Sequence, residues 1–166
     1  LATRAGCFLV DQKYDFWKVD LHFPLRPDRV DPATNCLVHH FTLVDAELVM
    51  VKGDLKPKLL IFDMLALNGQ NMLRFPLLER LKKIQNDFHA PHARYVAKMA
   101  QQSMSETSAP STPRLPEMPC SVSVKQMHQL CKLNRVLDDV IPRQSYANDG
   151  LIFTPVDEHY HMGVWS

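Results

Sequence analysis

The sequence predicts an α+β fold in which an antiparallel-rich sheet is flanked by helices. Two nearly continuous apolar runs, Leu43 to Val51 and Lys58 to Leu65, are separated by a turn signal at Gly53-Asp54 and have the composition of neighbouring strands. Two other stretches, Pro76 to Phe88 and Lys125 to Val140, carry apolar residues at helical spacing. A chain of 166 residues is also long enough to fold as one domain and bury roughly 70% of its unfolded surface.

Taken in order, Cys7 to Val19 reads as two short strands around the polar turn Asp11-Gln12-Lys13-Tyr14-Asp15. Phe16-Trp17-Lys18-Val19 has the aromatic and β-branched content of the second strand. Phe23-Pro24 ends it, because proline cannot donate to a ladder, and a Pro/Asp-rich loop follows through Pro32. The runs from Leu43 and Lys58 do not alternate, so both are expected at the sheet's centre, covered on both faces. Pro76 sits where a helix start tolerates a missing N–H, and Leu77, Leu78, Leu81, Ile84 and Phe88 form an apolar face behind it. Arg74 and Arg80 are expected on that helix's surface. Gln101 to Pro119 is rich in Ser, Pro, Thr and Met with few large apolar residues, so burial cannot offset its ordering entropy and a disordered insert is expected. The second helix would place Met127, Leu130, Cys131, Leu137 and Val140 on one stripe and stop at Pro142.

The formal charge of +1, from 19 basic and 18 acidic residues, provides no overall basic field for nucleic acid, so any RNA contact would be local. Lys56-Pro57-Lys58 and Lys82-Lys83 read as solvated faces. Cys7, Cys36, Cys120 and Cys131 lack Cys-x-x-Cys spacing, and no apolar run is long enough to span a bilayer. A reduced intracellular protein is the default expectation. The histidines, including His39-His40, His89 with His92 and His159 with His161, have no cysteine partners at zinc-ligand spacing, which argues against zinc.

Two acidic segments carry the chemistry. Asp149-Gly150 precedes Leu151-Ile152-Phe153-Thr154-Pro155-Val156, and Asp45-Ala46-Glu47 lies within Leu43 to Val49. Each is expected to put a carboxylate at the mouth of a strand, facing a cleft. Two such groups suit a divalent cation bridging to nucleotide phosphates, since hard cations take oxygen ligands and keep substrate phosphates in their shell. For either site alone, an ordinary hairpin turn is the competing reading.

The wording of the segments is more specific. Asp149-Gly150-Leu151-Ile152-Phe153-Thr154-Pro155-Val156 resembles motif IV of the guanylyltransferase domain of eukaryotic mRNA capping enzymes, and Tyr160-His161-Met162-Gly163 matches the Tyr-x-x-Gly after it. Thr42 to Val49 resembles motif III, usually Leu-Asp-Gly-Glu, and Lys58 to Gln70 resembles motif IIIa with its following turn. Gly6 to Asp11 and Leu21 to Arg26 resemble the strand and Phe-Pro turn between motifs I and III. The matches run in order over nearly the whole chain.

The resemblance implies the central part of the covalent nucleotidyltransferase core, an ATP-grasp-like architecture shared by ligases and capping enzymes. It implies mRNA 5′-capping in the nucleus, with GMP passing from GTP through a lysyl-GMP intermediate to the 5′-diphosphate end of RNA. It also implies nucleotide contacts from Glu47, Phe62, Lys125, Asp149 and Ile152, with Phe62 and Ile152 sandwiching guanine and Lys125 against guanine O6. Glu47 and Asp149 would hold Mg2+ or Mn2+. GTP and the nascent mRNA end are the implied partners, an RNA triphosphatase and the RNA polymerase II tail are further candidates, and no membrane is involved.

The family's nucleophilic Lys-x-Asp-Gly and the Lys-x-Lys that follows motif IV do not occur: the first lysine is Lys13 and the last, Lys132, precedes the motif IV stretch. A fragment of a working enzyme, residues 1–166 of a partial nucleotidyltransferase domain, is expected over a decayed paralogue, and the chain alone is expected to be inactive. Ala46 replaces the motif III glycine; it would cost on the order of 1 kcal/mol at positive φ and little within a strand. An ATP-dependent polynucleotide ligase-type domain and a catalytically dead scaffold or regulatory domain are the rival readings.

Overall fold

The computed structural model of this chain describes residues 1–26, 38–105 and 118–160, and its class is α+β with antiparallel and mixed sheets. Strands β1 (Ala2–Thr3), β2 (Gly6–Val10) and β3 (Phe16–Val19) form an antiparallel sheet in the order β1-β2-β3. The polar turn between β2 and β3 lies where the sequence places it. Asp11 Oδ1 accepts from the amides of Lys13 (2.8 Å) and Asp15 (3.0 Å), while Tyr14 takes a left-handed φ of 63°.

The second sheet is built on β5 (Lys58–Leu67), flanked on one side by antiparallel β4 (Leu43–Val49). On its other side lie antiparallel β6 (Gln70–Asn71) and parallel β7 (Ser121–Val124). Leu67 pairs with Gln70, so β5 and β6 are joined by Asn68-Gly69 alone, both at positive φ. That is the primed hairpin geometry for which Asn-Gly is the favoured pair. A bridge between Ala2 and Thr42 joins the two sheets.

A long helical segment packs on the second sheet: α1 (Leu77–Lys83), a wide π turn (Ile84–His89) and α2 (Ala90–Ser105). Leu77, Ile84 and Phe88 are buried on it, and Phe88 stacks on Phe23 at 4.2 Å. Ile84 and Phe88 join Ile61, Met64 and Met72 in the main core. Pro91 lies inside this helix. It has no N–H to give the carbonyl four residues back, that of Asp87, and its ring crowds the preceding turn; the π turn before it relieves the crowding. His39 Nε2 supplies the missing donor to Asp87 O at 3.0 Å.

Several expectations need correction. β5 is largely buried, but β4 is only half-buried and Leu48 is exposed, so the pair is not covered on both faces throughout. Arg80 is buried rather than on the helix surface, and Arg74 lies in the turn before α1. Lys125 to Val140 is not one helix: β7 leads into an extended stretch, then short turns at Leu130–Lys132, Leu133–Arg135, Val136–Val140 and Ile141–Arg143. The Lys125 amide continues the β7 ladder by donating to Ile61 O at 2.7 Å, and the intended stripe finds nothing to bury it, with Met127, Leu130 and Leu137 exposed. Pro142 falls within the last turn instead of ending a helix. The helix α2 carries Gln101 to Ser105, the start of the expected insert, while residues 106–117 of that segment lie outside the described residues.

Candidate nucleotide site

β4, β5 and β7 carry the site. Glu47 pairs across from Leu60 on one side of β5, and Lys125 follows β7 on the other. Their side chains meet over the central strand, with Lys125 Nζ donating to Glu47 Oε2 at 2.9 Å. The same ammonium lies 5.9 Å from the centre of the Phe62 ring. Asp45 pairs with Asp63 but Ala46 pairs with Ile61, leaving Phe62 as the extra residue of a β-bulge. Bulges re-aim a side chain out of the regular pleat. Here the bulged residue is the aromatic one beside the ion pair.

The ion pair is about one-third to two-fifths exposed at its two side chains (35% and 41%). At that exposure such a pair contributes only about 0–1 kcal/mol, so a ligand that offers either partner a better contact can open it cheaply. Ala46 is not among the described residues with positive φ and lies inside β4, so alanine at the usual glycine position carries no backbone strain there. Asp45 does not shape a turn: it lies in β4 and accepts a 2.8 Å hydrogen bond from Tyr160 Oη.

Asp149 and Ile152 lie apart from this cluster, on an exposed stretch that forms no strand in the described residues, contrary to the expected strand-end carboxylate. Asn148 Oδ1 accepts from the Gly150 amide at 2.9 Å, and Gly150 has φ +152°, a turn that favours glycine. A strand needs a neighbour to take its backbone groups; this stretch meets the body at its end, where Leu77 N donates to Val156 O at 3.0 Å. Of the five nucleotide residues anticipated, the fold thus brings Glu47, Phe62 and Lys125 together and leaves Asp149 and Ile152 outside their cluster.

Sequence reasoning passed over three neighbours. Asp63, next to Phe62, forms a buried two-pronged pair with Arg80: Nε to Oδ1 at 2.7 Å and Nη2 to Oδ2 at 2.9 Å. Arg80 also lies 5.7 Å from the ring of Tyr160, whose hydroxyl reaches Asp45. The signal was present in the sequence. Arg80 lies three residues after Leu77 and four before Ile84, on the buried stripe of the helix, and Asp63 interrupts an apolar strand. A base on one apolar face and an acid in another are each tolerable only as partners.

No group of three His, Cys, Asp or Glu side chains close enough to hold a metal ion occurs among the described residues. Glu47 nevertheless offers a half-exposed carboxylate, which fits a hard cation held by one or two carboxylates, water and substrate phosphates rather than a closed protein cage. Cys7 and Cys120 are buried and burial pushes both thiols up, so they are poor nucleophiles. Among the described residues no helix is long and apolar enough to cross a membrane.

Comparison with known proteins decides the family: the model of the mRNA capping enzyme catalytic domain matches residues 1–166. The chain belongs to that family. It is 28% identical to the mRNA-capping enzyme subunit alpha of Kluyveromyces lactis over 98% of this chain and 33% of the relative. For the proteins of the same name from Candida glabrata and Saccharomyces cerevisiae the identities are 29% and 28%, over 98% and 95% of this chain and 34% and 33% of theirs. The chain therefore spans about a third of the length of these curated relatives. Within this capping enzyme family member, the stretches that resemble motifs III and IIIa form strands β4 and β5 of the cluster.

Proposed function

We propose that this chain supplies the nucleotide-binding centre of an mRNA guanylyltransferase, working in the nucleus on GTP and the 5′ end of nascent RNA. The observation that carries this reading is the meeting of Glu47, Phe62 and Lys125 on one half-exposed face, a carboxylate, an aromatic ring and an ammonium within reach of one another. Phe62 stacks on the base, an interaction worth roughly 1–3 kcal/mol and indifferent to base identity. Lys125 supplies the discrimination: an ammonium is attracted by guanine O6 and repelled by the amino donor that adenine has there. Glu47, released from Lys125, faces the ribose. Asp149 and Ile152, outside the cluster in the structure, would have to move in from the stretch after the Asn148 turn to close the site over bound nucleotide, and residues 1–166 form part of a covalent nucleotidyltransferase core of the ATP-grasp-like kind.

Glu47 and Asp149 would hold a divalent cation, Mg2+ or Mn2+, which when bound neutralises charge on the nucleotide phosphates. In the complete enzyme the family's motif lysine, its amine deprotonated, attacks the α-phosphate of GTP, releases pyrophosphate and later yields GMP to a 5′-diphosphate RNA end. Because the Lys-x-Asp-Gly motif does not occur in these residues, the chain alone binds GTP without forming a labelled adduct.

Calorimetric titration of the chain with GTP and with ATP in magnesium tests the reading. GTP should bind more tightly, Phe62→Ala should weaken both nucleotides by roughly 1–3 kcal/mol, and Lys125→Ala should mainly erode the preference for GTP. Equal weakening of both nucleotides by Lys125→Ala would assign that residue to phosphate. Binding of neither nucleotide by the unaltered chain would end the proposal.

A further inference from the structure

A buried polar cluster among the described residues adjoins the Glu47, Phe62 and Lys125 face and touches β4 and β5, two of the strands that build it. Its hub is Arg80, only 1% exposed. Besides the two-pronged pair with Asp63, its Nη1 donates to Phe75 O and, at 3.4 Å, to Glu158 O. The guanidinium lies beside the Tyr160 ring, the Tyr160 amide donates to Leu73 O at 2.8 Å, and the Tyr160 hydroxyl donates to Asp45. Four stretches of chain therefore converge: β4 through Asp45, β5 through Asp63, the turn before α1 through Leu73 and Phe75, and the stretch 156–160. Burying a guanidinium is costly unless each donor is met, so the arrangement holds these segments in one geometry.

Asp63 is the residue after Phe62, and Asp45 lies two residues before Glu47 on the same strand. The bulge at Phe62 falls between the pairs Asp45–Asp63 and Ala46–Ile61. Asp45 and Asp63 are thus direct cross-strand partners, two like charges facing each other, a pairing that is unfavourable without compensation. Arg80 supplies that compensation for one and Tyr160 a hydrogen bond for the other. We propose that Arg80 and Tyr160 are positioning residues for the nucleotide site: through Asp63 and Asp45 they fix the bulge, and with it the spacing between the Phe62 ring and the Glu47 carboxylate. The inference rests on the nucleotide reading of that face. The Tyr160 phenol is pushed up, by burial first and then by its bond to Asp45, so it remains a donor throughout the physiological range.

Tyr160→Phe is the cleanest test, because it keeps the ring beside Arg80 and the backbone bond to Leu73 and removes only the hydroxyl. The measurements are GTP affinity, melting temperature and the 13C signal of the Glu47 carboxyl carbon. GTP affinity should fall about fivefold to tenfold while the melting temperature stays near that of the unaltered chain and the Glu47 signal moves. In a Glu47→Gln background the same change should cost under about twofold more, since coupled residues are non-additive. Arg80→Lys, which keeps the charge and loses the two-pronged grip, should weaken GTP and ATP alike.

Unaltered GTP affinity in Tyr160→Phe, or an equal loss in the Glu47→Gln background, would overturn the positioning role. If the unaltered chain binds no nucleotide, the functional reading falls and the Glu47 signal decides alone: a shift on Tyr160→Phe upholds the positioning of that strand, and a stationary signal refutes it.

Discussion

The strands β4 and β5 and the stretch from Asn148 to Val156 each resemble family motifs, yet they differ in what holds them. β5 has a strand on each side, Ile61 and Met64 are fully buried, and the Glu47, Phe62 and Lys125 cluster is set by register, a bulge and a buried ion pair. In the second stretch Ile152 is 85% exposed and Phe153 63%, with a turn at one end and a backbone bond from Leu77 to Val156 at the other. The difference shows that an apolar run dictates a strand only where neighbours take its backbone groups and cover its side chains. A motif, by contrast, can be read whether or not its packing partners are present.

Three measurements would break or sharpen that contrast. The largest effect is expected for Arg80→Ala, which strands the buried Asp63 carboxylate and should cost about 3–5 kcal/mol in a denaturant titration. A loss below about 1 kcal/mol would mean that water reaches Asp63 and that the region behind β5 is as open as the later stretch.

An intermediate effect concerns acid. Burial lowers the pKa of His39 and of His92 from the ordinary value of 6.5. Between their lowered values and 6.5 the folded chain is still largely unprotonated while the unfolded chain already binds protons. Stability should therefore be full above 6.5 and fall as the pH drops through and below it. Thermal melts at about pH 7.5 and about pH 5.5 would show this as a lower melting temperature at the acid value, and His39→Gln should reduce the difference. Equal melting temperatures would show that these rings are already protonated or freely hydrated.

The smallest effect belongs to the exposed stretch. Ile152→Ser and Asp149→Ala should each change stability by no more than about 0.5 kcal/mol. A loss of about 2 kcal/mol or more from Ile152→Ser would show that this side chain packs in solution, and would erase the contrast.

The α+β class, the β2–β3 and β4–β5 hairpins and the apolar face of the helix starting at Leu77 were legible, because each rests on a periodicity or a turn signal within a few residues. The helix expected from Lys125 was not, since Lys125 is drawn into the sheet by Ile61 O, a partner more than sixty residues earlier that local spacing cannot reveal. Glu47, Phe62 and Lys125 could be named from motifs, but their meeting depends on β7 running parallel beside β5 and on the bulge, neither of which has a local signature. Arg80 was misjudged because a charged residue was assigned to the surface by type, although its spacing from Leu77 and Ile84 put it on the buried stripe.

The carbonyl that Pro91 leaves without a helical donor has a kinetic consequence. Because His39 Nε2 serves Asp87 O, and the His39 ring also faces Thr42 Oγ1 and Asn68 Oδ1, the middle of the long helix and the entrance to β4 share one set of bonds. Neither can fray without exposing the other's buried polar groups. In amide exchange the two should open together as one cooperative unit, so the imidazole ties the lifetime of a helix to that of a strand nearly fifty residues away.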